Sequence, residues 1–304
     1  MPTVLVIAAQ SFIGRHICRA LSQRGSRVIS TSRQPAAGSR DIACDLKDAA
    51  SIAAAIRDSQ PDWIVQCGAA TSSRDPRELY LTHAFGTLNL CEAVEQHAPE
   101  ARVLLMGSAA EYGSLPVEWL PLHEECLPSP SSFFGASKLA QTQMAQAAAA
   151  EKRLRIVSVR PFNVIGPGLP EIYFAASLSK RLKAMQCEGA VAGTEFEVTN
   201  ATATRDFVDV RDVAEAVTLL LEKAAWETGA CEVFNIATSR ETSLIEMASV
   251  LGELAGGLVP KAGGSHSSRG GISRSSGSFE KLADVTGWQP RISWQQSLRD
   301  LWTA

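Results

Sequence analysis

The chain has 304 residues, and 29 Lys and Arg against 32 Asp and Glu leave a net charge of −3. Hydrophobic residues at 45% supply ample core, which excludes intrinsic disorder, and the near-neutral balance gives no field to gather nucleic acid. No run of about 18 apolar residues occurs, so no membrane span is expected.

Apolar runs of strand length alternate with helix-period segments from the start. Residues 3–9 (TVLVIAA) read as a strand, and the apolar face Phe12, Ile13, Ile17, Ala20, Leu21 as a helix after it. Strands are predicted over 27–31, 63–69, 102–108 and 155–161. Helices are predicted over 49–57, 80–97 and 134–152. Strands that are continuously apolar suit a parallel sheet covered on both faces, and the β-α alternation predicts an α/β, doubly wound (Rossmann-like) fold. Beyond residue 161 Gly and Pro increase and elements shorten. Helices are predicted over 172–185, 210–223, 244–254 and 279–285, with a late strand over 233–237. The division expected is a dinucleotide domain over 1–161. A smaller, interleaved C-terminal substrate lobe follows over 162–304, with some segments returning to the core.

The Gly- and Ser-rich stretch 263–277 reads either as a plain connector or as a lid whose Arg269 and Arg274 meet an anion. Seven scattered cysteines without a C-x-x-C pair read as buried residues in a reducing cytosol, and five scattered His give no metal spacing. The N-terminal run lacks a basic segment and reads as a strand rather than a signal peptide, so a cytoplasmic protein is expected.

After the first strand, small residues recur at spacing three: Ala8, Ser11 and Gly14, with Phe12 and Ile13 opening the helix. A pyrophosphate bound here needs close backbone approach and a helix N-terminus aimed at it. Glycine is the usual occupant of all three positions. A positive φ at Ala8 would cost about 1–2 kcal/mol. The second strand ends in Thr31-Ser32-Arg33, where an acid would hold the ribose diol of NAD. Arg33 with two hydroxyls suits the 2′-phosphate of NADP instead, unless Arg33 is simply solvated. Asp45-Leu46 follows the next short strand, where it could meet the adenine edge.

With these segments in view, the chain resembles the extended short-chain dehydrogenase/reductase family, of the epimerase/dehydratase type. The resemblance rests on the N-terminal turn, GAATSS (68–73), FGTLNL (85–90), GSAAEYG (107–113), FGASK (134–138), RPFNVIGPG (160–168), TRDFVDVRDV (204–213) and TGWQPRISW (286–294). Within the family the pattern is most similar to the GDP-4-keto-6-deoxy-mannose reductases. The resemblance implies that Ala69, Ala70 and Pro161 help to hold the dinucleotide. It implies that Ser108 hydrogen-bonds the reacting oxygen, and that Lys138 holds the nicotinamide ribose and lowers the pKa of a Tyr one helical turn before it. That Tyr position is occupied by Phe134, which has no proton to give.

A positioned acid is worth roughly 10²–10⁴ in rate, so simple ketone reduction by the family route should be impaired. Three explanations stand: Tyr exchanged for Phe to trap a bound substrate, another acid, or a binding protein without catalysis. Tyr112 and Glu111 beside Ser108, and His83 where the family usually carries Asn, are the other acids considered, though Tyr112 also reads as packing and His83 as a hydrogen-bonded helix residue. Ala109 and Ala110 stand where the family's dehydratases carry an acid/base pair, which disfavours elimination. Epimerisation stays open. The resemblance further implies a nucleotide-linked sugar as substrate, contacted by Asn163, Arg205 and Arg269. Arg205 has an alternative partner in Asp206 or Asp209. The helices over 80–97 and 134–152 correspond to the family's four-helix dimer interface, so a homodimer is expected.

Overall fold

The computed structural model describes residues 1–70, 75–263 and 272–304. Seven parallel strands form the central sheet: β1 (Thr3–Ile7), β2 (Arg27–Ser32), β3 (Ile42–Ala43), β4 (Trp63–Gln66), β5 (Arg102–Met106), β6 (Arg155–Pro161) and β11 (Ala230–Ile236). Their order is β11-β6-β5-β4-β1-β2-β3. It reverses on either side of β1 and β4, the topological switch point at which open α/β sheets bind ligands.

Alternate residues of each strand enter different cores, as the two-residue period requires. Val4 and Val6 of β1 pack with α1 (Phe12–Gln23) and α7 (Val210–Lys223) through Ile17, Leu21, Val213 and Leu220. Leu5 and Ile7 face the other way, onto α2 (Ala49–Ser59), α4 (Gly86–His97) and α5 (Phe133–Lys152), through Ile52, Ile56, Leu90 and Ala145. Both sheet faces are therefore covered.

A third core lies in the C-terminal part. It joins Leu178 and Leu182 of α6 (Phe174–Cys187), Met247 and Leu251 of α8 (Leu244–Leu254), and Leu298 and Leu301 of α10 (Trp294–Thr303). Short strand pairs complete this region: β7 (Asn163–Ile165) with β10 (Phe207–Asp209), β8 (Glu195–Val198) with β13 (Val259–Ala262), and β9 (Thr204–Arg205) with β12 (Thr242–Ser243). The short helix α9 (Glu280–Thr286) returns to the central core through Leu282. No helix among the described residues is long and apolar enough to cross a membrane.

Several boundaries differ from expectation. The strands expected over 63–69 and 102–108 stop at Gln66 and Met106, because the chain leaves the sheet there to build the ligand-side turns. The single helix expected over 80–97 is α3 (Pro76–Tyr80), a π-helical turn (Leu81–Phe85) and α4. At their junction Gly86 lies so close to Leu46 that a Cβ would come 2.9 Å from the Leu46 Cβ. The sequence reading missed α10, whose ten residues bury only Ser297, Leu298 and Leu301.

Candidate functional site

A cavity of about 680 Å³ opens at the C-terminal ends of the strands. A shallower hollow of about 750 Å³ lies at the opposite strand ends, around Asp62, His97 and Arg102. Only the first sits at the switch point and holds the predicted residues, so chemistry is assigned there.

The turn after β1 leads directly into the N-terminus of α1. Ala8 takes φ +58, the left-handed region, and its carbonyl accepts from the Ser11 backbone N–H at 3.0 Å. Ser11 caps α1, its Oγ accepting from the Gly14 N–H at 3.1 Å. A Cβ on Gly14 would lie 2.6 Å from the Ala8 carbonyl oxygen, so this position requires glycine. The backbone N–H groups of Phe12 and Ile13 have no protein partner among the described residues, and both residues line the cavity. Unpartnered donors at the N-terminus of a three-turn helix fit a pyrophosphate.

Arg33 follows β2, exposed and without a hydrogen-bond partner among the described residues. Of the two hydroxyls beside it, the Thr31 hydroxyl is buried and accepts from the Ala8 N–H at 3.3 Å, so it is committed to the turn. Asp45 Oδ1 accepts from the Lys47 N–H, and Leu46 is buried beneath Gly86. Neither lines the cavity, nor does Ala70, whose N–H donates to His83 Nε2 at 3.2 Å. Ala69 and Pro161 do line it.

Ser108, Phe134 and Lys138 meet in the cavity wall. Ser108 begins a 3-10 turn (Ala109–Glu111), its Oγ accepting from the Ala110 N–H at 3.1 Å. Phe134 and Lys138 are four residues apart in α5 and share one face. Lys138 Nζ donates to the Met106 carbonyl at 2.7 Å and to Gln141 Oε1 at 2.9 Å. Burial pushes the ammonium down to about 8, the Glu111 charge opposing.

The three other acids considered do not present a proton to this cavity. Tyr112 is wholly buried, packed under the Arg160 guanidinium at 4.6 Å, and its Oη donates to Asn235 Oδ1 at 2.8 Å. Burial pushes the phenol up to about 12. Its assignment as a catalytic residue is therefore corrected to a packing role. Glu111, expected to touch substrate, is also wholly buried. Its Oε2 accepts from Arg160 Nε at 2.9 Å and its Oε1 from the Ser108 N–H at 3.1 Å, so it acts behind the wall. The His83 Nε2 accepts from the Ala70 N–H, which places the ring proton on Nδ1, directed to Ser137 Oγ at 2.8 Å. Burial lowers that imidazole to about 3.

Asn163 and Arg205 line the same cavity. Arg205 is half-buried and its Nη1 donates to the Thr204 carbonyl at 2.7 Å, but it pairs with no carboxylate among the described residues. The partners considered are taken: Asp206 accepts from Thr238, Ser239 and Gly277, and Asp209 from Arg211. Burial alone lowers the Arg205 pKa. Arg274 is held by both Glu241 oxygens at 2.8 and 2.9 Å, so it is not a free anion clamp. Arg269 lies outside the described residues. Tyr173, at the N-cap of α6, also lines the cavity and was not anticipated; an aromatic after the GPG turn was its only signal.

This parallel sheet, with a dinucleotide turn and a Ser-Lys pair at its switch point, defines a Rossmann-type member of the short-chain dehydrogenase/reductase class. The model of the NAD dependent epimerase/dehydratase family matches residues 4–237, and the chain belongs to that family. It is 32% identical over 244 residues to GDP-6-deoxy-D-mannose reductase of Pseudomonas aeruginosa, covering 79% of this chain and 78% of the relative. It is 29% identical over 314 residues to the dTDP-6-deoxy-L-talose 4-dehydrogenase (NAD(P)(+)) of Kitasatospora kifunensis, covering 99% and 95%. Among solved structures, RMD from Pseudomonas aeruginosa complexed with NADPH superposes with a TM-score of 0.83 at 26% identity, over 100% of this chain and 98% of that one.

Proposed function

We propose that the protein reduces a nucleotide-linked 4-keto-6-deoxy sugar with NADPH, residues 1–161 holding the dinucleotide and 162–304 mainly the sugar nucleotide. The observation that carries this is one cavity lined both by Ser108 and Lys138 and by Arg205, a half-buried cation without a carboxylate partner among the described residues. A guanidinium in that state suits a diphosphate. The P. aeruginosa and K. kifunensis relatives, named for 6-deoxy sugar nucleotides, support the substrate class.

Phe12 and Ile13 N–H groups would meet the pyrophosphate, and the exposed Arg33 favours a 2′-phosphate over a bare ribose, hence NADP over NAD. When bound, the reduced nicotinamide supplies a hydride. Ser108 Oγ–H would hold the carbonyl oxygen, and Asn163 and Arg205 the diphosphate. Ala109 and Ala110, both in the cavity lining, carry no acid or base for elimination. The reading places the protein in the cytoplasm, where its seven free cysteines would stay reduced. It also pairs two copies through α4 and α5, with Leu81 and Phe85 exposed on the adjoining turn.

A second reading, a dinucleotide- or sugar-nucleotide-binding protein without turnover, is favoured by one observation: Phe134 occupies the acid's seat in the cavity lining. Single-turnover oxidation of NADPH with a panel of GDP-, dTDP- and UDP-linked 4-keto-6-deoxy sugars decides between them, with the chain and Phe134→Tyr side by side. Reduction by the chain itself supports the first reading. Tight cofactor binding with no turnover by either form leaves the second.

A further inference from the structure

Phe134 removes the usual proton donor, and the described residues narrow what can replace it. Among the described residues no His, Asp or Glu lines the cavity, and the titratable groups that do are Cys67, Lys138, Tyr173 and Arg205. Burial pushes the Cys67 thiol far up, and a guanidinium does not release its proton. Lys138 donates two of its three N–H bonds, both to neutral acceptors, the Met106 carbonyl and Gln141 Oε1. The third has no protein acceptor among the described residues, in the same wall as Ser108 and one helical turn from Phe134. Tyr173, at the N-cap of α6, belongs to the same lining, and Lys138, unlike it, shares a helix face with the Phe134 position.

We propose that Lys138 itself is the proton donor to the reacting oxygen in this chain. The inference rests on the ketoreductase reading. The carbonyl carbon takes a hydride, with its electron pair, from the reduced nicotinamide, which is thereby oxidised. The C=O π pair passes to oxygen, and oxygen forms an O–H bond as one Lys138 N–H bond breaks. The neutral amine then regains a proton from water. Three groups around Lys138 set its poise. Glu111, from the 3-10 turn, favours the ammonium but is tied to Arg160 of β6. Cys67, after β4, is a buried thiol, and His83, on the π-helical turn, is neutral. An amine buried without a carboxylate of its own gives up its proton more readily than a solvated lysine.

The test has two arms on the full-length protein. In the first, ¹⁵N-lysine NMR of the cofactor-free protein, assigned with Lys138→Met, follows Lys138 Nζ from pH 6 to 11. A midpoint near 8 is expected, and one above 10 overturns the proposal. In the second, single-turnover reduction of a nucleotide-linked 4-keto-6-deoxy sugar should fall tenfold per pH unit above that midpoint. Lys138→Arg keeps the cation but not the transferable proton; it should lose this limb and slow the step by about 10²–10⁴-fold. A limb that survives in Lys138→Arg, or that vanishes in Tyr173→Phe instead, overturns the donor assignment while the ketoreductase reading stands. Tight NADPH binding with no keto sugar reduced at any pH overturns both.

Discussion

Ser108 and Arg160 are held by the two oxygens of one buried carboxylate: Glu111 Oε1 accepts from the Ser108 N–H and Oε2 from Arg160 Nε. Thr142 Oγ1 adds a third donor at 3.0 Å. The Ser108 backbone, in the cavity wall, is thus anchored from behind by a buried ion pair. Such a pair adds little net stability, but breaking it strands a buried charge.

Glu111→Ala is expected to destabilise the protein by about 3–5 kcal/mol, because Arg160 is left buried and unpaired. Urea unfolding measures this. A change under about 1 kcal/mol would mean that water reaches Arg160.

Ala8→Gly should stabilise the fold. Removing the Cβ at positive φ relieves about 1–2 kcal/mol, and the added freedom of the unfolded chain offsets about 0.4–1 of it. A net gain near 0.5–1 kcal/mol would show as a raised urea midpoint with an unchanged slope. A lowered midpoint would show that the Ala8 methyl makes packing contacts that outweigh its strain.

Arg205→Met should weaken binding of a nucleoside diphosphate. The loss of a charge-assisted contact is worth about 1.5–3 kcal/mol, or about 10–150-fold in Kd. Calorimetry with GDP, dTDP and UDP reads it. Thermal stability should barely move, since Arg205 pairs with no carboxylate among the described residues. A large drop in stability with unchanged Kd would make Arg205 a structural residue.

Arg33→Asp should turn the cofactor preference. NADPH affinity is expected to fall by roughly tenfold or more as a charge-assisted contact is lost, while NADH gains an acceptor for its ribose diol. Equilibrium fluorescence titration of both cofactors checks this. An unchanged ratio would show that Arg33 stays in solvent.

The segments legible in the sequence were those whose meaning is local. The strand-turn-helix around Ala8, Ser11 and Gly14, and the i,i+4 placement of Phe134 and Lys138, need only neighbouring residues to be read. The direction of Tyr112 and Glu111 was not legible, because it depends on partners far along the chain: Asn235 for the phenol and Arg160 for the carboxylate. Polarity near a Ser suggested the cavity, whereas the side chains turn into the core. The freedom of Arg205 was likewise undecidable until Asp206 was seen accepting from Thr238, Ser239 and Gly277. The π-helical turn at Leu81–Phe85 leaves no signal distinct from the helix around it, whereas α10 was overlooked although Trp294, Leu298, Leu301 and Trp302 recur at helical spacing and pack into one core.

The strand β11 has a consequence for the order of events at the ribosome. It pairs with β6 from Ala230↔Arg155 to Ile236↔Pro161, although some seventy residues of C-terminal chain separate them. Until it emerges, β6 presents an unpaired edge whose Ile156, Val157 and Val159 are buried in the finished protein, the kind of surface on which nascent chains stick to one another. The N-terminal part of the sheet therefore cannot be completed while it is being translated; it stays open until the segment that closes it is synthesised.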